Sequence, residues 1–317
     1  MSFASFKNAR VVRSSWLEEG GRRLDCNTYM SGALEARDIL RQLSVRKDLL
    51  STLTAGYVGG IYNGPMFKRN YVESPEHGVP FISSGTIMLA DLSRLPLLRR
   101  KDAESSRLSY LRLEAGMTLI SCSGTIGRMC YVRPDMDGIW SSQDVLKVSA
   151  NTSLISPGYL YAFLASRYGV PLVVSGTYGA IIQHIEPEHI AGLPVPRFGA
   201  VFEVSVDAKM QEAVQLLSNY QRLVREATNE VFASVGLEDI SATEWHADGL
   251  NLGFSVAAPY VASLRALNFN PKFVELVRKI KKGPSSSTLA ISGSRGQLIQ
   301  HALPILAGNN EGVRVCG

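Results

Sequence analysis

One stretch constrains the fold of this chain more than any other. Val206, Met210, Ala213, Leu217, Tyr220, Val224, Ala227 and Val231 recur at intervals of 4-3-4-3-4-3-4. That is an uninterrupted heptad seam, the pattern that buries one helix against another in a coiled coil. Between seam positions, Arg222 and Glu226 stand one helical turn apart on one face. At 1.5 Å per residue the segment predicts a helix about 40 Å long. Its apolar stripe must be buried, either against a partner helix or, in the alternative reading, against the core of its own domain. The sequence carries one long copy of this pattern.

Upstream of the seam the pattern changes twice. Ala9-Arg10-Val11-Val12 reads as a short strand, and Ser31 to Leu43 as a helix, with Ala33, Leu34, Ala36, Ile39, Leu40 and Leu43 at helical spacing. Over 56–200 short apolar runs alternate with turn signals. Val79 to Ile82, Met117 to Ile120, Met129 to Val132 and Val145 to Val148 read as strands between Gly- and Pro-marked turns. One helix is expected inside this region, from about Pro157 to Arg167, with proline at its first turn. Leu193-Pro194-Val195-Pro196 closes the domain, because prolines two apart fit neither a helix nor a central strand. The expected fold class is α+β: a strand-rich, irregular domain followed by a long coiled-coil-forming helix.

The region after residue 245 echoes the start of the chain. Ala266-Leu267-Asn268 corresponds to Arg23-Leu24-Asp25, a helical stretch Phe273–Lys282 to Ala33–Leu43, and Ser287-Thr288-Leu289 to Ser51-Thr52-Leu53. Such repetition signals a duplicated architecture, here with a second copy that is only begun. The expected organisation is a strand-rich domain over 1–200, a spacer helix over 201–237, an incomplete second repeat over 238–292 and a tail over 293–317.

Composition limits the chemistry. With 45% hydrophobic and 19% charged residues in 317, the chain can build a substantial core. A net charge of +5 and a pI near 9.0 lean towards a polyanionic partner. Cys26, Cys122, Cys130 and Cys316 form no CxxC pair, and the five histidines no ligand spacing, so zinc is not expected. Unpaired cysteines, the absence of an apolar leader and the absence of a membrane-length apolar run predict a soluble cytoplasmic protein.

The order of these parts resembles the specificity subunits of type I restriction-modification systems. The resemblance covers most of residues 10–235. It is carried by Arg23-Leu24-Asp25, by the run Gly78 to Gly85, by Leu113 to Gly127 with its Ser123-Gly124-Thr125-Ile126-Gly127, by Ser175 to Ile182, and by Leu193 to Pro196 directly before the long helix. The resemblance implies a target-recognition domain that reads one half of a split site in double-stranded DNA. It implies a helix that serves as a spacer and as a dock for methyltransferase subunits, with a restriction or translocase subunit as a further partner. Full-length members carry two such units; this chain shows one and the opening of another, which the resemblance makes a half-length form. A homodimer through the long helix would restore the pair, with no membrane involved.

The DNA-facing candidates are Asn63, Lys68, Arg69, Arg94, Arg99, Arg100, Thr125, Arg128, Thr177, Tyr178 and Gln183. Lysine and arginine on loops of a basic domain suit phosphates. Asn63, Gln143 and Gln183 have the amide geometry that reads adenine. Gly124 and Gly127 allow a tight loop, either a plain turn or one that brings Thr125 to a phosphate. Taken singly, each cation reads first as solvated surface; it is the group, on loops of a basic domain, that suits phosphates. Ser175 to Gly179 lacks the Gly-Lys-Ser/Thr of a nucleotide loop. No methyl-donor turn, Asn/Asp-Pro-Pro-Tyr/Phe tetrapeptide or acidic metal cluster is present. The expectation is therefore a non-catalytic chain with no cofactor and no metal. Two rivals stand beside it: a small-molecule or glycan-binding β-rich protein with a helical oligomerisation arm, and an enzyme using Glu186, His184 or Cys122.

Overall fold

The computed structural model describes residues 11–19, 29, 31–175, 184–234 and 277–280. Two compact units divide the chain, Met1–Arg222 and Leu223–Gly317. The boundary falls inside the long helix.

The first unit is organised around two four-stranded sheets. One has the order β2-β9-β6-β7, built from β2 (Ile61–Tyr62), β6 (Thr118–Ser121), β7 (Met129–Tyr131) and β9 (Val145–Val148), all antiparallel. The other has the order β3-β5-β4-β8, built from β3 (Tyr71–Val72), β4 (Gly78–Ile82), β5 (Leu97–Arg99) and β8 (Trp140–Ser141). Its last pair, β4 with β8, is parallel. A two-stranded ribbon joins β1 (Arg46–Leu49) to β10 (Pro194–Arg197). Both members of a ribbon are edge strands, which is why β10 tolerates Pro194 and Pro196.

Strand alternation decides which core each side chain enters. Leu119 and Val145 enter one cluster with Ile82, Leu113, Val132 and Ile139. Their neighbours Ile120, Leu146 and Val148 point the other way, into a larger cluster shared with the helices. The first sheet is thus covered on both faces, and every residue of β6 and β9 is buried. The far face of the second sheet buries Val79, Phe81, Leu98, Leu111 and Trp140, and the Trp140 indole N–H donates to the Ala103 carbonyl.

Helices cover the larger core. α1 (Ser14–Glu19) precedes α2 (Ala33–Gln42), whose Ala33, Leu34, Ala36 and Leu40 are buried as their spacing predicts. Ile39, on the same sequence pattern, is exposed. α3 (Arg100–Ala103) follows β5. The helix expected over 157–167 ends earlier: α4 spans Pro157–Leu164 and α5 spans Gly169–Ser175. The Ser166 hydroxyl accepts the amides of Tyr168 and Gly169, which diverts the chain into a turn between the two. α6 (Pro187–Ala191) leads to β10, and α7 (Ala200–Ser234) follows. The strand expected over 9–12 is not formed at Val11 and Val12, the two of these residues that are described; Val12 packs against Trp16, Tyr29 and Leu34 instead.

α7 has 35 residues and is about 50 Å long. Its buried face is not the apolar seam. Glu203, Val214 and Gln221 are the buried residues, and polar neighbours at helical spacing join them. Glu203 takes both arms of Arg197 at 3.0 and 2.8 Å. Asp207 accepts the Gly158 amide at 2.7 Å. Gln211 donates to the Tyr131 hydroxyl at 3.0 Å. Ser218 donates to Asp135 at 2.8 Å. Gln221 accepts from the Leu92 amide and donates to Asp91. A second, hydrogen-bonded seam therefore fastens the helix to its own domain. The apolar seam lies beside it and divides. Val206 packs on the core and Met210 is half-buried, whereas Ala213, Leu217, Tyr220, Ala227 and Val231 are exposed and Val224 is half-buried. Leu216 and Leu223 widen the exposed apolar strip, at 63% and 55% exposure.

In the second unit, residues 277–280 are helical. They fall within the helical stretch expected over 273–282; the rest of the proposed repeat, and the tail over 293–317, lie outside the described residues.

Candidate nucleic-acid interface

Several loops from distant parts of the first unit are tied into one polar cluster. Asn63, directly after β2, donates through Nδ2 to Glu186 Oε2 at 2.8 Å. Arg69 donates through Nη2 to Asp144 Oδ2 at 2.8 Å and to Gln143 Oε1 at 3.2 Å, with its guanidinium over the Phe81 ring. The loop after β6 is bound to the same residues: the Cys122 amide donates to the Asp144 carbonyl, the Ile185 amide to the Cys122 carbonyl, and Ser123 bridges His184. Glu186 caps α6, and its amide donates to His189 Nδ1.

The turn between β6 and β7 carries Thr125 and Arg128, both exposed. Ser121 fixes its shape, with the hydroxyl donating to the Thr125 carbonyl and accepting the Arg128 amide. Gly127 is required here. Its φ is +78°, and a Cβ would lie 2.5 Å from Val174 of α5. The turn thus packs against α5, which ends at Ser175, and His184 on the far side of 176–183 pairs with the loop. Thr177, Tyr178 and Gln183 lie outside the described residues.

The remaining candidates separate into two kinds. Lys68 and Arg94 are exposed; Arg94 sits near enough to Asp91 to help lower that carboxyl's pKa, alongside hydrogen bonds from Ser93 and Gln221 that outweigh the opposing effect of burial. Arg99 grips Asp102 with two bonds of 2.9 and 2.7 Å. Arg100 spends its donors on the carbonyls of Pro75, Glu76 and Gly78 and on Glu104. These two hold the turn before β4 and the start of α3. The structure brings Asn63, Arg69, Thr125 and Arg128 around one cluster, and places Arg94 beside α7 instead.

Sequence reading missed Glu186 and Asp144 as the acceptors that orient Asn63 and Arg69. It also missed Lys147, which is fully buried in β9. The Lys147 ammonium donates to the Val145 carbonyl at 2.9 Å and the Ser142 carbonyl at 3.4 Å and faces the Tyr62 ring. Burial pulls its pKa down to about 7, against a small opposing influence of Cys122. The Val-Leu-Lys-Val alternation reads as a lysine facing water, and only tertiary packing removes it from water.

Little here suits catalysis. Burial pushes the Cys122 thiol up to about 12, so the nucleophilic thiolate is suppressed. Among the described residues no group of His, Cys, Asp and Glu is arranged to hold a metal, and no helix is long and apolar enough to cross a membrane. An apolar pocket of about 160 Å³ lies between α7 and the domain, lined by Ile87, Leu89, Met129, Met210 and Leu217 among others. It is smaller than the roughly 300–1,000 Å³ of ordinary small-molecule sites, and its lining is mostly apolar, with Arg133, Tyr131 and Tyr161 as polar members.

The fold and site define a mixed α+β domain that presents basic loops and carries a long helix with an uncovered apolar strip. No family model matches the chain, and no curated protein matches it in sequence. Among solved structures it is similar to a type I restriction-modification system S subunit from M. genitalium, at 14% identity and TM-score 0.41 over 61% of this chain and 46% of that one. It is also similar to the HsdS subunit from Thermoanaerobacter tengcongensis, at 13% identity and TM-score 0.38 over 61% and 48%. A third similar chain comes from a structure describing complex assembly and conformational transition of the type I R-M system, at 12% identity and TM-score 0.40 over 68% and 52%. The chain spans about half the length of the solved structures it matches.

Proposed function

We propose that this chain is a DNA specificity subunit of a type I restriction-modification complex. Its domain reads one half-site in double-stranded DNA, and α7 docks methyltransferase subunits and a second copy of the chain. The observation that carries the reading is the division of labour on α7. A helix that needed only its own domain would bury its apolar seam there. This one is fastened by Glu203, Asp207, Gln211, Ser218 and Gln221 instead, and leaves Leu217 and Tyr220 exposed for another surface. Two identical helices pairing antiparallel create a closed twofold contact, and such a dimer reads an interrupted palindrome with spacing set by the helix pair.

On the DNA side, Lys68, Arg94, Arg128 and the Thr125 turn contact phosphates, while Asn63, Arg69 and the Gln143 amide form the base-reading cluster. The oriented partners of Asn63 and Arg69 support this assignment, because a pre-set side chain loses less freedom on binding. The chain itself supplies no catalysis and takes no cofactor. Binding of the full chain to duplex DNA over a salt series tests the reading. Affinity that falls steeply as salt rises is expected; salt-independent or absent binding would refute it. Methylation mapping in cells carrying the gene tests the dimer: an asymmetric bipartite motif that depends on this chain alone would contradict it.

A further inference from the structure

The backbone between Thr54 and Ile61 is contorted for no packing reason. Val58 has φ 47° and ψ 44°, the left-handed region. Among the described residues it is the sole non-glycine with positive φ. A β-branched residue is especially ill-suited to that region. Its side chain gains nothing in return from the fold, being 71% exposed. Strain of this kind persists where the surroundings over-determine it, and it collects at functional sites.

The surroundings do over-determine it. At the base of the turn, the Ala55 amide donates to the Ser149 carbonyl and the Ser149 amide donates to the Gly60 carbonyl. The Thr54 hydroxyl donates to the Gly59 carbonyl at 2.7 Å. Gly60 leaves no room for a side chain, since a Cβ would sit 2.6 Å from the Ala55 carbonyl oxygen. Beside the tip, the half-exposed Tyr57 ring stacks on Tyr110 at 4.2 Å and meets Tyr62 edge-on at 5.1 Å. Arg107 lies close enough for its charge to act on the Tyr110 hydroxyl. The result is a rigid, clamped turn that holds one bare apolar side chain outward, braced by an aromatic stack.

The turn also lies near the proposed base-reading cluster. Gly60 is joined to Asn63 by the two residues of β2, a separation of about 10 Å at strand rise. That is roughly three base-pair steps along a duplex, at about 3.4 Å per step.

We propose that the Tyr57-Val58 tip is a wedge that enters a DNA groove and unstacks a base step, with Val58 as the inserting side chain. The inference rests on the DNA-binding reading above. A wedge needs an apolar tip that does not fold back and a base that does not yield; the strained, clamped turn supplies both. Insertion would add sensitivity to how easily a step opens, so the chain would favour flexible pyrimidine–purine steps at that position without hydrogen bonds to their edges.

The test uses duplexes selected from a randomised pool by the full chain, each carrying 2-aminopurine at one position in turn. Its fluorescence rises when stacking is lost. The wild type is expected to give a several-fold rise at one step. Val58→Gly and Val58→Asn, which suit a left-handed backbone, are expected to reduce that rise by at least half while the thermal midpoint is not lowered; Val58→Ile is expected to retain it. Salt-dependent binding without a fluorescence rise at any position would overturn the wedge and leave the DNA reading standing. So would a rise that survives both Val58→Gly and Val58→Asn. Absence of salt-dependent binding would overturn the DNA reading, and the wedge with it.

Discussion

Replacing Lys147 with methionine is expected to change stability by an amount that reverses sign with pH. The folded chain holds the Lys147 pKa at about 7, against an ordinary value of 10.5. At about 1.4 kcal/mol per pH unit, protonation of this side chain is roughly 5 kcal/mol less favourable folded than unfolded. The folded pKa is depressed, so the unfolded chain binds the extra proton between about pH 7 and 10.5, and wild-type stability falls as pH drops through that window. Below pH 7 both states are protonated and the cost is constant. Methionine removes this cost with little change in volume, but leaves the Val145 and Ser142 carbonyls without their lysine donor, a loss of about 1 kcal/mol each. Lys147→Met should therefore be more stable than wild type by roughly 3 kcal/mol at pH 7, equal to it near pH 9, and less stable above that. Urea unfolding of both proteins between pH 7 and 10 measures the difference, and shared titrations, such as those of Cys122 and Tyr62, largely cancel in it. A difference that stays flat across that range would show that the ammonium is as readily protonated folded as unfolded, and would refute the reasoning.

Other expectations follow from the same structure. Arg197→Met should destabilise the domain by about 3 kcal/mol or more, because it leaves the Glu203 carboxylate buried without its partner; thermal unfolding checks this. Leu217→Glu with Val224→Asp should abolish assembly with a second copy or with methyltransferase subunits while the domain stays folded, since Leu217 is already exposed; light scattering and circular dichroism read the two outcomes. Lys68→Ala should lower the slope of log affinity against log salt by about one, as a salt series on the variant measures. The purified chain should neither methylate nor cleave DNA alone, and turnover in a single-component assay would contradict this.

The long helix was legible because its apolar residues recur at helical intervals, and α2 and the main strands were legible because periodicity reports burial. Ala33, Leu34, Ala36 and Leu40 sit on one face of α2 as their spacing implies, and Val145 to Val148 form β9 over the expected residues. The docking of α7 was not legible. Glu203, Asp207, Gln211, Ser218 and Gln221 recur at near-helical intervals, which is a signal, but polar residues on a helix ordinarily mean water. Their partners, Arg197, Gly158, Tyr131, Asp135 and Asp91, are set by tertiary contact and leave no local trace. The same holds for the proposed interface. Arg69 lies in a loop and Arg99 ends β5, and only the fold shows that one joins the Gln143–Asp144 cluster and the other closes a bidentate pair with Asp102. Arg100 shows the limit most plainly: a basic run suggests a charge seeking phosphate, and only the fold shows that its donors also reach the Pro75, Glu76 and Gly78 carbonyls before β4 and the Glu104 carboxylate.

The hydrogen-bonded seam on α7 also defines where this chain can be cut and rejoined. A graft that exchanges the strand-rich part at the glycine before the helix, Gly199, would carry away Arg197, Gly158, Tyr131, Asp135 and Asp91 and leave the polar side chains of Glu203, Asp207, Gln211, Ser218 and Gln221 facing foreign partners. The helix would then be free to swing, and in the proposed dimer the two recognition surfaces would lose their common ruler. A graft joined after Arg222 keeps the domain with the helix residues that anchor to it, so the exchangeable cassette is the domain together with its helix as far as Arg222.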